Sequence, residues 1–157
     1  MRTIALPDIT IEKECDLDIT MMVLGGRKPS VCWMGAIDFY KSLWAVDSGV
    51  DPGFEAGILP DRLVGDGDSA SPEAWQWAMD HGVDVSKFNR DKDLTDFQLA
   101  LDLLSKKDER KEKSLFITGG FAGRFDHLWA TVISFLNCEK NVIPLGMADE
   151  IEGLIFL

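Results

Sequence analysis

Hydrophobic residues along this chain gather in four short runs, and glycine or polar residues end each run. The runs cover residues 21–24, 43–46, 63–64 and 115–117. Continuous apolar runs of this length, bounded by turn residues, are typical of strands that are buried on both faces of a sheet. The pattern therefore predicts four central strands.

Between the runs, apolar residues recur at helical spacing. Helices are predicted over residues 30–43, from Ser71 onward, over 93–104 and over 125–136. The segment 93–104 is the most regular, because its apolar residues recur every three or four positions. Ser71 followed by Pro72 is a typical helix start, since serine caps the first amides and proline fits the first turn.

The alternation of strands and helices predicts an α/β fold, with an open, mostly parallel sheet and helices on both faces in a Rossmann-like three-layer arrangement. Residues 83–88 and 142–145 are weaker strand candidates, and the charged segment 106–113 is predicted to be a surface loop. In such sheets, ligands bind beyond the carboxyl ends of the strands. The glycine and aspartate clusters follow the apolar runs directly, so the chemistry is predicted to lie along that edge.

Composition narrows the class of protein. A chain of 157 residues fits one domain with one core, and its formal net charge of −11 argues against a general nucleic-acid or acidic-membrane surface. The three cysteines contain no Cys-x-x-Cys pair, which argues against a disulfide framework or a structural zinc site. The apolar runs are too short to span a membrane, and Pro7 interrupts any leader-like stretch, so a cytoplasmic protein is expected.

The first chemical motif is Gly-Asp-Gly-Asp-Ser at residues 65–69. Two carboxylates one residue apart, flanked by glycines, can turn toward one point, and Mg²⁺ prefers oxygen ligands of this kind. A turn in which aspartate only caps its own backbone explains the same residues equally well. An EF-hand is excluded, because Ser71 and Trp77 stand where that calcium loop needs glycine and glutamate.

The second motif is Asp-Lys-Asp-Leu-Thr-Asp at residues 91–96. Asp93 is placed as the cap of the predicted helix, and carboxylates at a helix N-terminus are favourable on dipole grounds alone. This segment holds three carboxylates and one lysine within six residues, which is more than helix capping requires. A second interpretation is that Lys92 meets a phosphate while Asp93 and Asp96 face a metal ion.

The third motif covers residues 119–127, Gly-Gly-Phe-Ala-Gly-Arg-Phe-Asp-His. Glycines after a strand let the backbone approach a ligand, and the following helix points its N–H groups at an anion. Arg124 suits a phosphate or carboxylate, while Asp126 suits a proton acceptor or a helix cap. Neither the dinucleotide-binding nor the P-loop glycine pattern is present. Together with the acidic motifs, these residues favour metal-assisted phosphoryl or diphosphoryl transfer, since a cation must bridge carboxylates and phosphates.

The three motifs, in this order and approximate spacing, resemble those of the thiamine pyrophosphokinase family. That family carries a Gly-Asp-x-Asp-Ser loop, an acidic segment with Thr-Asp that opens a helix, and a Gly-Gly-x-x-Gly-Arg-x-Asp-His/Gln turn, which here stand at residues 65–69, 93–96 and 119–127. Residues 47–49 (Asp-Ser-Gly) also resemble its Ala-Asp-Gly-Gly segment, with a small departure. The resemblance implies an Mg²⁺-dependent enzyme that transfers the terminal diphosphate of ATP to the hydroxyl of thiamine and releases AMP.

The resemblance also implies roles for single residues. Those implied to act in catalysis are Asp66, Asp68, Asp96, Arg124 and Asp126. Those implied to hold Mg²⁺ are Asp66, Asp68 and Asp96. Those implied to bind ATP are Asp47, Ser48, Gly65, Ser69, Lys92, Asp93, Thr95, Gly119 and Gly120. Those implied to bind thiamine are Gly123, Arg124, Asp126 and His127. The base that helps the hydroxyl attack the β-phosphorus is expected to be Asp96 or Asp126.

The family carries a β-sandwich domain after its catalytic domain, and its dimer holds thiamine between the catalytic domain of one subunit and the β domain of the other. Residues 1–150 are therefore expected to form the ATP-binding catalytic domain. Residues 151–157 are expected to begin a linker strand to that C-terminal β domain, and the β domain itself is expected to lie outside residues 1–157. A homodimer is expected.

Alternatives to this function stay open at this point. A related diphosphokinase that acts on a hydroxymethyl pterin resembles the same fold and acidic motifs. A non-catalytic nucleotide-binding fragment is the second alternative. An aspartyl-nucleophile phosphatase is disfavoured, because its Asp-x-Asp loop follows the first strand, whereas residues 66–68 follow the third predicted strand.

Overall fold

Strands and helices alternate along most of the chain in the computed structural model, which describes residues 2–7, 9–13, 18–88, 94–121 and 123–156. The strands are β1 (Arg2–Ala5), β2 (Thr10–Lys13), β3 (Ile19–Val23), β4 (Ser42–Val46), β5 (Arg62–Gly65), β6 (Asp84–Lys87), β7 (Lys113–Thr118), β8 (Val142–Ala148) and β9 (Gly153–Ile155). The helices are α1 (Val31–Ala36), α2 (Val50–Ala56), α3 (Pro72–Asp80), α4 (Asp96–Lys106) and α5 (Phe125–Leu136). A single 3-10 turn, Asp47–Gly49, joins β4 to α2.

Seven of the strands form one sheet in the order β6-β5-β4-β3-β7-β8-β9. The first six of these strands run parallel, and β9 is antiparallel to β8 at the edge. Strands β1 and β2 form a separate antiparallel hairpin. The predicted open, mostly parallel sheet is therefore confirmed. The predicted division of the chain at residue 150 stays a prediction.

Both faces of the sheet are buried at its central strands, as the continuous apolar runs indicated. Every residue of β3 is buried, and its side chains alternate between two cores. Met22 packs with Leu104 and Phe135 beneath α4 and α5. Met21 packs with Trp33 beneath α1 on the other face. Alternate residues of a strand point to opposite faces, so helices must cover both sides to keep these side chains from water.

The predicted helix over residues 93–104 is observed as α4, but its cap was predicted wrongly. The N-cap is Thr95, whose Oγ1 accepts a hydrogen bond from the N–H of Gln98 at 3.2 Å. The Oε1 of Gln98 accepts one from the N–H of Thr95 at 2.9 Å. This reciprocal capping box satisfies two amides at once. Asp93, the predicted cap, lies outside the described residues, as do Asn89 to Lys92.

Other boundaries also differ from the sequence pattern. Helix α1 is six residues long rather than spanning 30–43, because Ile37 is extended and the chain enters β4 at Ser42. Helix α2, Val50–Ala56, was not predicted. It is a short helix that begins directly from the 3-10 turn, and its sequence includes Pro52 and Gly53.

The direction of strand addition reverses between β3 and β7. From β3 the chain adds β4, β5 and β6 toward one edge, and from β7 it adds β8 and β9 toward the other. Pairing continues past the strand ends, since the N–H of Leu24 donates to the Thr118 carbonyl at 2.9 Å and the N–H of Gly26 to the Gly119 carbonyl at 2.8 Å. A reversal of this kind opens a crevice at the carboxyl ends of the two strands. No helix in the described part of the chain is long and apolar enough to cross a membrane.

Candidate active site

A cavity of about 440 Å³ opens at this reversal point. Its walls come from the carboxyl ends of β3, β4 and β7, from the loop after β5, from the N-terminal part of α4, and from one side of α5 along most of its length. The lining residues are Leu24, Gly25, Gly26, Val46, Asp47, Ser48, Ser69, Thr95, Asp96, Phe97, Gln98, Gly119, Gly120, His127, Ala130, Thr131 and Ser134. The edge of the sheet predicted to carry the chemistry is therefore the edge that holds this cavity.

Three carboxylates converge beside the cavity and form an acidic trio of Asp47, Asp66 and Asp96. One carboxylate oxygen from each lies within 4.8 Å of the other two, and all three residues are partly buried. They come from three elements, namely the 3-10 turn after β4, the loop after β5, and the first residue of α4. Carboxylates this close repel one another, and a hard divalent cation with oxygen ligands relieves that repulsion. The donor set fits Mg²⁺.

Asp47 is held in place by the backbone of the β5 loop. Its φ of 52° lies in the left-handed region, which aspartate tolerates better than most residues. Its Oδ1 accepts a hydrogen bond from the N–H of Gly67 at 3.1 Å. Gly65 has a φ of 144°, and a Cβ there would lie 2.8 Å from the same Oδ1. Glycine at 65 therefore lets the loop close around the Asp47 carboxylate.

The structure of the Gly-Asp-Gly-Asp loop is consistent with both interpretations of its sequence, a local aspartate turn and a metal site. Asp66 Oδ1 accepts a hydrogen bond from the N–H of Asp68 at 2.9 Å, which is the local aspartate turn. Asp66 also contributes an oxygen to the acidic trio. Asp68 is exposed and is neither a member of the trio nor a residue of the cavity wall. The structure thus brings together two of the three predicted metal ligands and adds Asp47, and the ligand role of Asp68 stays a prediction.

The start of α4 carries Asp96 into the site. The capping box at Thr95 sets the direction of the first turn, and Asp96 is the first helical residue. Gln98 Nε2 donates to Ser134 Oγ at 3.2 Å, which ties this turn to α5 across the cavity wall. Lys92 and Asp93, which were predicted to bind ATP, lie outside the described residues.

Backbone rather than side chains forms the wall at β3 and β7. Gly119 has a φ of 69°, and a Cβ there would lie 2.4 Å from the carbonyl oxygen of Leu24. Gly25, Gly26 and Gly120 also line the cavity. Sequence reasoning did not place Gly25 and Gly26 in the site. The signal was available, since a glycine pair directly follows the first central apolar run.

The residues predicted to bind thiamine lie at the mouth of the cavity. Arg124 and Asp126 form an ion pair with each other, and their side chains are 84% and 63% exposed. Of these predicted residues, His127 alone lines the main cavity. Arg124, Asp126, His127 and Ala130 border an open depression of about 430 Å³. His127 therefore connects the two spaces, while Gly123 lies on the loop that leads into α5 with a φ of 82°.

The chain is similar in sequence to one family of known proteins. Residues 36–147 match the family model described as thiamin pyrophosphokinase, catalytic domain. The chain is 28% identical over 130 residues to the thiamine pyrophosphokinase of Bacillus subtilis, which covers 82% of this chain and 59% of that protein. It is 28% identical over 103 residues to thiamine pyrophosphokinase 2 of Oryza sativa, covering 61% of this chain and 39% of that protein. The chain thus spans less than two thirds of the length of these relatives.

Solved structures extend the comparison to the fold. The crystal structure of the Bacillus subtilis thiamine pyrophosphokinase superposes with a TM-score of 0.68 at 26% identity and covers 85% of this chain and 61% of that chain. The structure of the thiamin pyrophosphokinase from Candida albicans has a TM-score of 0.70 at 14% identity and covers 98% of this chain and 69% of that one. At 14% identity, the similarity to the Candida albicans structure shows a shared fold alone.

Proposed function

The chain belongs to the thiamin pyrophosphokinase family, and on that premise we propose that it transfers a diphosphate group from ATP to the hydroxyl of thiamine. The products are thiamine diphosphate and AMP. The observation that carries the proposal is the acidic trio of Asp47, Asp66 and Asp96 beside a cavity that is partly walled by glycine backbone. Carboxylates and phosphates share a site when a cation lies between them.

Asp47, Asp66 and Asp96 would hold Mg²⁺, with Asp68 as a further ligand from the same loop. When bound, the cation neutralises charge on the phosphates and polarises the phosphorus that is attacked. The protein contributes the preorganisation of its ligands. The N–H of Gly67 holds the Asp47 carboxylate and the N–H of Asp68 holds that of Asp66, so two of the three carboxylates are oriented before the ligand arrives, and the capped first turn of α4 fixes the backbone at Asp96.

The ATP phosphates fit along the glycine wall. Gly25, Gly26, Gly119 and Gly120 present no side chain there, so the backbone can approach a phosphate closely. Ser48 lines the same wall and offers a hydroxyl. A cavity of about 440 Å³ lies within the size range of small-molecule sites.

Thiamine is proposed to enter over the depression that Arg124, Asp126 and His127 border. Its hydroxyl oxygen would form a bond to the β-phosphorus of ATP while the bond from that phosphorus to the bridging oxygen of the α-phosphate breaks, and AMP leaves with that oxygen. The hydroxyl proton passes to a carboxylate, for which Asp96 and Asp126 are the two candidates. Arg124 at the mouth can stabilise charge on the transferred group.

AMP release from Mg²⁺-ATP, measured with and without thiamine, tests the proposal. We expect thiamine-dependent AMP, and we expect Asp66→Asn to lose more activity than the roughly 10–100-fold typical of changes outside the ligand shell. Asp102→Asn is a matched control on α4, because Asp102 pairs with Lys106 on the surface away from the trio. AMP release that depends on a hydroxymethyl pterin instead would keep the diphosphotransferase chemistry and reject thiamine. ATP binding without AMP release for either acceptor would reject catalysis by this chain.

A further inference from the structure

The indole of Trp75 lies against the centre of the Gly-Asp-Gly-Asp loop. A Cβ added to Gly67 would lie 3.3 Å from Cδ2 and Cε2 of Trp75 and 3.4 Å from Cε3. These are three consecutive atoms of the six-membered ring, and a point nearly equidistant from them lies above the face of that ring. One of the two Cα–H bonds of Gly67, the one that a side chain would replace, therefore points at the aromatic face of Trp75.

Gly67 is held from two sides. Its N–H donates to Asp47 Oδ1, and the opposite side of its Cα rests on Trp75. Its φ of 83° lies in the left-handed region that favours glycine. Because Gly67 separates Asp66 from Asp68, its position sets where both carboxylates point.

Trp75 itself is anchored on a rigid base. It packs against the buried cluster that contains Ala45, Leu63 and Ala74, beneath α2 and α3. Its helix, α3, starts at a defined point, because the Oγ of Ser71 accepts a hydrogen bond from the N–H of Ala74. The indole can therefore act as a fixed platform for the loop.

We propose that Trp75 is a positioning residue that sets the Asp66-Gly67-Asp68 loop for cation binding. This inference rests on the metal site of the proposed function and adds a residue to it that touches neither cation nor substrate. Residues outside the ligand shell that orient metal ligands contribute to metal affinity. Because the support is an aromatic face packed against a glycine, phenylalanine at 75 should keep most of it and leucine should not.

Trp77 provides a matched control on the same helix. It packs against the same buried cluster as Trp75, but its ring contacts are to Phe54 and His81, away from the acidic loop. Leucine at 77 should therefore weaken the packing of the buried cluster as leucine at 75 does, but it should leave the position of the acidic loop unchanged. Comparing the two variants separates loss of stability from loss of loop position.

The experiment titrates Mn²⁺ into the whole chain without nucleotide and follows free Mn²⁺ by electron paramagnetic resonance. We expect Trp75→Leu to weaken Mn²⁺ binding by about 10-fold or more, Trp75→Phe to restore most of the affinity, and Trp77→Leu to bind like the wild type. The metal-free NMR spectrum gives a second readout. The Hα of Gly67 that faces the indole should be shifted upfield by the ring current in the wild type, and this shift should vanish in Trp75→Leu.

The outcomes separate this inference from the proposed function. If Trp75→Leu binds Mn²⁺ as tightly as the wild type, or if Trp77→Leu loses the same affinity, the positioning role is wrong while the metal site stands. If the wild type binds no Mn²⁺, the metal site of the proposed function fails, and the positioning role fails with it. If Gly67 Hα shows no upfield shift in the wild type, the contact that carries the inference is absent.

Discussion

Arg27 forms an ion pair with Asp149 across 122 residues of chain, with 2.8 Å between Nη1 and Oδ2. The Asp149 side chain is fully buried, and its Oδ1 also accepts hydrogen bonds from the N–H groups of Ile151 and Glu152. The second Arg27 nitrogen, Nη2, donates to Glu152. These contacts tie the turn between β8 and β9 to the loop after β3, where the glycine wall of the cavity begins.

Asp149→Ala is therefore expected to destabilise the fold by about 2–3 kcal/mol, because it leaves Arg27 Nη1 and two backbone N–H groups without their acceptor. The free energy of unfolding, measured in urea, tests this. Glu55→Ala is the comparison, since it breaks an exposed pair with Lys28 and should change stability much less. Equal effects of the two changes would show that burial of Asp149 does not strengthen its contacts.

Removal of one charge from the acidic trio should stabilise the metal-free protein and weaken cation binding. In Asp47→Asn the side-chain oxygen still accepts from Gly67, and asparagine tolerates the left-handed backbone, so the loop is kept. The repulsion among the carboxylates falls. The melting temperature without Mg²⁺ should rise or stay constant, whereas the increase on adding Mg²⁺, expected for the wild type, should be lost. A full Mg²⁺-induced increase in Asp47→Asn would exclude Asp47 as a ligand.

Gly65→Ala is expected to cost about 1–3 kcal/mol, because its left-handed backbone disfavours a side chain and the new Cβ would press on Asp47. Mn²⁺ affinity should fall together with stability, since Asp47 must move. Gly35→Ala in α1 is the control. A Cβ there meets nothing within 4 Å, and alanine favours a helix by about 0.5–1 kcal/mol over glycine. In urea unfolding, we expect Gly65→Ala to lower the free energy of unfolding and Gly35→Ala to raise it.

Lys113 should make stability depend on alkaline pH. Its side chain is buried, and desolvation lowers its pKa below the usual 10.5. The unfolded chain then binds the proton more strongly than the folded one, so this residue's contribution to stability rises with pH toward the usual lysine pKa. The difference in unfolding free energy between wild type and Lys113→Met should therefore shift toward the wild type as the pH rises toward the usual lysine pKa of 10.5.

The Lys113→Met change also removes hydrogen bonds, and their loss has to be separated from the effect of pH on stability. Its Nζ donates to the carbonyls of Ser105 at 3.2 Å and Asp108 at 3.0 Å, so methionine also removes two donors. That loss is present at every pH and sets the offset between the two proteins. A constant offset across the pH range would show that Lys113 has no lowered pKa in the folded chain.

Much of the fold follows from local patterns. The runs at residues 21–24 and 115–117 became the central strands β3 and β7, because only a doubly covered strand buries apolar side chains on both faces. The spacing in α4 predicted its apolar face, and Gln98 three residues after Thr95 was a signal for the true cap that the sequence interpretation missed. Helix α2 was missed because its short sequence carries Pro52 and Gly53, which are usually helix breakers.

The sequence by itself determined which segments become strands, where the glycine turns fall, and which motifs supply carboxylates and cations, since these depend on neighbours a few residues away. Tertiary structure decided which of those groups meet. Asp47 and Asp96, 49 positions apart by their residue numbers, share one site because the sheet order places the 3-10 turn after β4 next to α4. Arg124 and Asp126 are only two positions apart, so their ion pair is local, but the tertiary structure decides that this pair borders the open depression beside the cavity. Strand order and the direction of each crossover depend on how the whole chain packs to bury both faces of the sheet. They cannot be read from a local sequence pattern.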